Sequence, residues 1–78
     1  MYILRTHLLE TPDVVFYYKG TSSEKGVTFA LNTIVAFEPS DAFVFESMQT
    51  AQIFCNRLNR EKNQLAEKGY GMFKKISI

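Results

Sequence analysis

The sequence predicts an α+β fold: a small antiparallel sheet of three to five strands packed against one long helix, in the order βββ(β)αβ. Two observations carry this reading. The stretch from Ser47 to Gly69 has helical punctuation at both ends and no Gly or Pro between them. Nearly everything before it alternates with the period of two that strands require, and turn residues separate the runs. With 78 residues the chain makes a single domain, 1–78. A domain this small buries only about 60% of its unfolded surface.

Tyr2 to Leu9 is rich in β-formers. Tyr2, Leu4 and Leu8 fall on one side, and Ile3, Arg5, His7 and Leu9 on the other. Pro12 and Asp13 mark Glu10–Asp13 as a turn, because proline fixes φ and Asp caps turns. Val14 to Lys19 (VVFYYK) is the strongest strand signal. A polar loop, Gly20 to Gly26, follows. Val27, Phe29 and Leu31 then alternate with Thr28, Ala30 and Asn32, which predicts a half-buried third strand and completes an antiparallel meander. From Thr33 to Asp41, apolar Ile34, Val35 and Phe37 run into the breaker Glu38-Pro39-Ser40-Asp41. Ala42 to Phe45 reads as a short strand or an extended lead-in to the helix. Ser47 supplies an N-cap hydroxyl. Gly69 fits the left-handed position past the helix end, with Tyr70 folding back on Leu65 in a Schellman ending. At 100° per residue, Met48, Ala51, Phe54, Cys55, Leu58, Leu65 and Ala66 share one face. Gly71 to Ile78 alternates again, Met72, Ile76 and Ile78 against Phe73, Lys75 and Ser77.

Composition excludes several classes. At 46% hydrophobic and 22% charged, the chain is too apolar for disorder. A net charge of +1 argues against a nucleic-acid mimic and against a strongly basic binder. With seven Phe, four Tyr and no Trp, aromatic rings make up the core's main bulk. Cys55 is the single cysteine, where a small secreted domain carries bridging pairs. The opening MYILRTHLLETPD lacks the apolar core of a signal peptide, and no run of about 18 apolar residues exists to span a membrane. A reducing cytoplasmic setting is therefore expected.

No stretch matches a site for chemistry. The Gly20–Gly26 loop has Lys25 before Gly26 and a predicted strand after it. A phosphate-binding loop needs glycine before lysine and a helix following. His7 has no partner at metal-ligand spacing and reads as a surface or packing histidine. Cys55 lies on the apolar stripe and reads as an inert, buried thiol. No titratable pair is placed for acid–base work, so neither an enzyme nor a cofactor is expected.

Other residues point to surfaces. Lys62 falls within the apolar stripe between Leu58 and Leu65. A continuous helix here would be about 30 Å long over strands of roughly 20 Å. Lys62 would then either lie along an overhanging rim or meet an acid on another chain. Ile53, Arg57, Arg60 and Gln64 line the outward face, ordinarily a solvated one, alternatively a stripe for phosphate or a protein groove. Lys19, Phe73, Lys74 and Lys75 mix basic and aromatic character as single-strand binders do. The broadest hint is arithmetic. One helix covers one sheet face, yet both faces carry large apolar groups, Phe16 and Tyr18 against Val15 and Tyr17, and Met72 and Ile76 against Phe73.

The segments YYKGTSSEKGVTFALN and DAFVFESMQTAQIFCNRLN, followed by a short terminal strand, resemble small accessory proteins of bacteriophages and prophages. The resemblance implies a cytosolic module that modulates a host factor or a defence system. It carries over no functional residue. The expectation is a non-enzymatic protein-interaction module that forms a homodimer or docks another protein through Val15, Tyr17, Lys62 and Leu65. The alternatives are a weak nucleic-acid-binding accessory protein and a nucleotide-sequestering protein built across a dimer seam.

Overall fold

The computed structural model describes all 78 residues. Three strands, β1 (Tyr2–His7), β2 (Val15–Thr21) and β3 (Thr33–Ala36), precede a 3-10 turn at Pro39–Asp41. Two helical segments, α1 (Met48–Arg60) and α2 (Lys62–Glu67), lead to β4 (Lys74–Ser77). The strands form one antiparallel sheet in the order β3-β2-β1-β4. The fold is thus α+β, with four strands and a 13-residue helix in the order βββαβ. No helix is long and apolar enough to cross a membrane.

The core lies between the sheet and α1. Leu4, Tyr18 and Phe73 meet Phe45, Ala51, Cys55, Leu58 and Leu65, all buried, with Ala30. Aromatic rings fill most of the gap, as the composition requires. Tyr18 stacks on Phe45 at 6.1 Å, and Phe54 lies 5.1 Å from Phe45 and 6.1 Å from Phe29. Ser47 caps α1 as expected, its hydroxyl accepting from Thr50 N at 3.3 Å. The Schellman ending is present too. Gly69 has φ 85°, Gly69 N donates to Ala66 O, and Tyr70 N donates to Leu65 O. On the predicted helix stripe Met48 and Ala66 are exposed, whereas Ala51, Cys55, Leu58 and Leu65 are buried.

Two expectations are corrected. The third strand is not Val27–Asn32 but Thr33–Ala36. Residues 22–32 form a loop organised around the buried Asn32. Its amide donates to Glu24 O and Val27 O, and its Oδ1 accepts from Ser22 Oγ. Thr28 Oγ1 accepts from Leu31 N, and Thr33 Oγ1 donates to Phe29 O. These short-range bonds compete with a strand ladder and win. Alternation alone could not reveal this. Ala42–Phe45 takes the lead-in form, with Phe45 bridged to Tyr2 and Phe43 N donating to Tyr18 O at 2.8 Å.

The second correction concerns the helix, which breaks at Glu61 (φ −102°, ψ 43°). At about 1.5 Å per residue, α1 is about 20 Å long and matches the sheet, so the predicted overhang does not exist. The Glu61 carboxylate accepts from Ala30 N at 2.8 Å and ties the break to the 22–32 loop. Past the break lies α2. Leu65 is fully buried in the chain's own core, while Lys62 is exposed. Leu65 therefore cannot serve a partner, contrary to expectation, and Lys62 does not interrupt the buried stripe.

Candidate functional site

Strand alternation and register assign the face that the helix leaves open. Arg5 stands opposite Tyr17 on one flank and Lys74 on the other, and Tyr17 stands opposite Ala36. One row across the sheet therefore reads Ala36–Tyr17–Arg5–Lys74. The neighbouring row pairs His7 with Val15. At the far end Ile3 pairs with Ile76. Val15, Tyr17 and Ile76 are half-buried by these neighbours, and Ile3 is buried. Ile34 and Met72 are 45% and 51% exposed.

The charge on this face is one-sided. None of the eight Asp and Glu residues lies in any strand. Arg5, His7 and Lys74 instead surround a hollow of about 200 Å³ with Pro12, Val15 and Met72 on its walls. Lys19, exposed, follows Tyr18 at a bulge in the β2–β3 pairing. Arg5 and Lys74 are directly cross-strand, a like-charge placement that costs stability. No hydrogen bond within the chain uses the side chain of Arg5, His7 or Lys74.

Three other cations are occupied. The Arg57 guanidinium lies 4.0 Å from the centre of the Phe29 ring. Lys68 Nζ donates to Leu31 O at 3.0 Å and Thr33 O at 2.7 Å. Lys75 Nζ donates to Gln52 Oε1 at 2.9 Å and lies 5.8 Å from the Tyr2 ring, on the helix side of the sheet.

A glycine makes room for the hollow's histidine. Gly71 N donates to His7 O at 2.9 Å, and Thr6 Oγ1 donates to Gly71 O at 2.6 Å. A Cβ at Gly71 would run into the His7 ring. The bare backbone there leaves the imidazole its place on the open face.

The sequence-predicted candidates scatter. Val15 and Tyr17 belong to the open face. Lys62 is exposed at the start of α2, and Leu65 is in the core. Ile53, Arg57 and Arg60 are exposed on the outer side of α1, but the break at Glu61 separates half-buried Gln64 from them. Of the basic and aromatic group, Lys19 and Lys74 are exposed. Phe73 is 2% exposed and cannot stack on a base, which corrects its assignment as a nucleic-acid contact. Sequence reasoning passed over Arg5 and His7 as functional residues. The signal was the absence of any acid from the strands, legible only once the strands are placed.

Cys55 is chemically quiet. Burial pushes its thiol above the ordinary 9.0, opposed by lesser pulls from the Asn59 hydrogen bond and the charge of Lys75. Its S–H donates to Phe73 O at 3.4 Å. No three His, Cys, Asp or Glu residues cluster where they could hold a metal ion. A second hollow, about 560 Å³, lies between α1 and β4 with Met48, Gln52, Ile53 and Lys75 on its walls. A third, about 420 Å³, lies where Leu8 and Leu9 approach the end of α2. No family model matches this chain, and no curated protein or solved structure matches it.

Proposed function

We propose that this protein is a non-enzymatic interaction module whose open sheet face docks an acidic surface of another protein. The observation that carries the reading is the pairing of cationic and apolar groups on that face, with no acid in the strands to neutralise it. Complementary charge steers association and sets the register of docking. Val15, Tyr17, Ile34 and Met72 supply the apolar contact. The resemblance to phage accessory proteins makes a host factor or defence component the natural partner.

Charge also discriminates between occupants. Two copies stacked face to face would bring Arg5, Lys74 and Lys19 against their own kind. The homodimer seam is thus the less favoured arrangement, and a nucleotide site across it loses its ground. A nucleic-acid strand would find cations but one aromatic ring, Tyr17, where base-stacking platforms use several. It remains the second reading, carried by the same cations.

The test compares capture from the source cell's extract by the native chain and by an Arg5→Glu/Lys74→Glu double variant. Circular dichroism verifies that the variant is folded. The expected result is one acidic protein, retained by the native chain, lost by the variant and kept by an Arg60→Glu control. Equal capture by all three would refute the reading. Nuclease-sensitive retention of nucleic acid in place of protein would favour the second.

A further inference from the structure

We infer that the hollow bounded by Arg5, His7 and Lys74 is a carboxylate-binding site, which receives an acidic side chain of the docked partner. The inference rests on the proposed docking face and makes it specific.

Geometry and charge lead to the same place. The hollow is about 200 Å³, room for a carboxylate and its methylene stem and below the roughly 300 Å³ at which small-molecule pockets begin. Two fixed cations come from adjacent strands in register, Arg5 from β1 and Lys74 from β4, so the rigid sheet sets their spacing. A guanidinium presents paired N–H donors that match a carboxylate's two oxygens, and the ammonium adds a point charge. The His7 ring forms the third side, held where Gly71 leaves space. Pro12, Val15 and Met72 complete the wall with apolar surface, which suits the stem of a Glu or Asp and an apolar neighbour on the same segment.

The energetics agree. Arg5 and Lys74 are directly opposed like charges, and nothing in the chain bonds either side chain. The free protein carries that repulsion, and an oxyanion seated between them removes it. Three cations elsewhere show the contrast. Arg57, Lys68 and Lys75 each have an aromatic ring, a carbonyl or an amide to lie against. The uncommitted cations that meet in a concavity are the ones around this hollow.

The experiment follows the backbone and side-chain resonances of the full ¹⁵N-labelled chain as a probe is added. The probe is an N-acetylated, C-amidated hexapeptide of alternating Glu and Val. Two controls are the same peptide with Gln for Glu, and inorganic phosphate. The expected result is saturable shifts at Arg5 Nε–H, His7, Val15 and Lys74 with the Glu peptide only. Arg5→Gln and Lys74→Gln should each weaken that binding about tenfold, the scale of one charge-assisted hydrogen bond. Arg60→Gln should leave it unchanged. Lys74 is exposed, so its variant keeps the test valid if Arg5→Gln disturbs folding.

Shifts confined to other residues, or equal weakening by Arg60→Gln, would overturn the site. So would phosphate displacing the peptide at equal concentration, since the oxyanion would then not be a partner's carboxylate. If the peptide instead moves Tyr17 and Ile34 while the Arg5 and Lys74 variants bind normally, the hollow fails and the docking face stands. Loss of the docking face itself would appear separately, as capture from extract that ignores the Arg5→Glu/Lys74→Glu reversal.

Discussion

Leu58 and Leu65 are both fully buried, one on either side of the helix break. Truncation of either to alanine should cost about 2–5 kcal/mol, as lost transfer energy plus a cavity. Urea denaturation of both variants checks this, and a near-neutral Leu65→Ala would mean the α2 turn is not packed as described. Cys55 offers a pH-dependent counterpart. Its folded thiol is held above the ordinary 9.0, chiefly by burial. The unfolded thiol gives up its proton first as pH rises. The stabilisation is therefore complete below the ordinary value and drains away as pH climbs through the raised one. The useful quantity is the difference between the native chain and a variant that lacks the thiol. Between pH 7.5 and 10 the native chain should lose more stability than Cys55→Ala, even though the variant starts lower. The folded thiol should also react slowly with a disulfide reagent, and fast labelling would contradict its burial.

At the scale of elements, the joints decide the shape. Glu61 both ends α1 and holds Ala30 N, so Glu61→Ala should free the 22–32 loop without unfolding the sheet. Hydrogen exchange should show a faster Ala30 amide beside unchanged amides in β1 and β2. Asn59 is the second joint. Its Oδ1 accepts from Phe73 N at 2.7 Å and its Nδ2 donates to Phe73 O at 3.0 Å, so a helix side chain stands in for a strand neighbour just before β4. Asn59→Ala leaves Phe73 N without a partner and Phe73 O with only the Cys55 thiol, and should cost about 1–3 kcal/mol, read from thermal or urea unfolding. Lys68 does similar work at the other edge, where its ammonium bonds carbonyls at and before β3. Gly69 is a conformational stop. Its φ of 85° has open space around it, so Gly69→Ala should lose only about 1–2 kcal/mol of backbone preference.

At the scale of the molecule, the sheet divides the chemistry. One face supplies the core, the other gathers cations and moderate apolar surface. Both edges are guarded, β4 by its two lysines and β3 by the Lys68 clamp, which disfavours edge-to-edge pairing. With like charges on the open face as well, light scattering at low micromolar concentration should report a 9.0 kDa monomer at physiological salt. A dimer that persists in the Arg5→Glu/Lys74→Glu variant would place self-association on another surface. Partner binding through the open face should weaken steadily as salt rises, because exposed charge pairs are screened within about 8 Å at physiological ionic strength. A salt-independent affinity would mean that the apolar groups alone carry the contact.

The sequence by itself determined the fold class, the cap at Ser47, the stop at Gly69, the first two strands and the burial of Cys55 and Leu58. Each of these rests on local chemistry, a hydroxyl for a free N–H, a glycine for a left-handed turn, or apolar spacing along one element. Tertiary structure decided the rest. The third strand moved from Val27–Asn32 to Thr33–Ala36 because side-chain bonds around Asn32 close a loop that alternation cannot distinguish from a strand. The helix broke at Glu61, with no Gly or Pro to announce it, where a carboxylate could reach the Ala30 amide. The open face was half legible. Alternation already set Arg5 beside His7, and Val15 beside Tyr17, on common sides of their strands. Only the pairing of β1 with β4 brought Lys74 next to Arg5, across 69 residues of chain, because register between distant strands is fixed by the packed core.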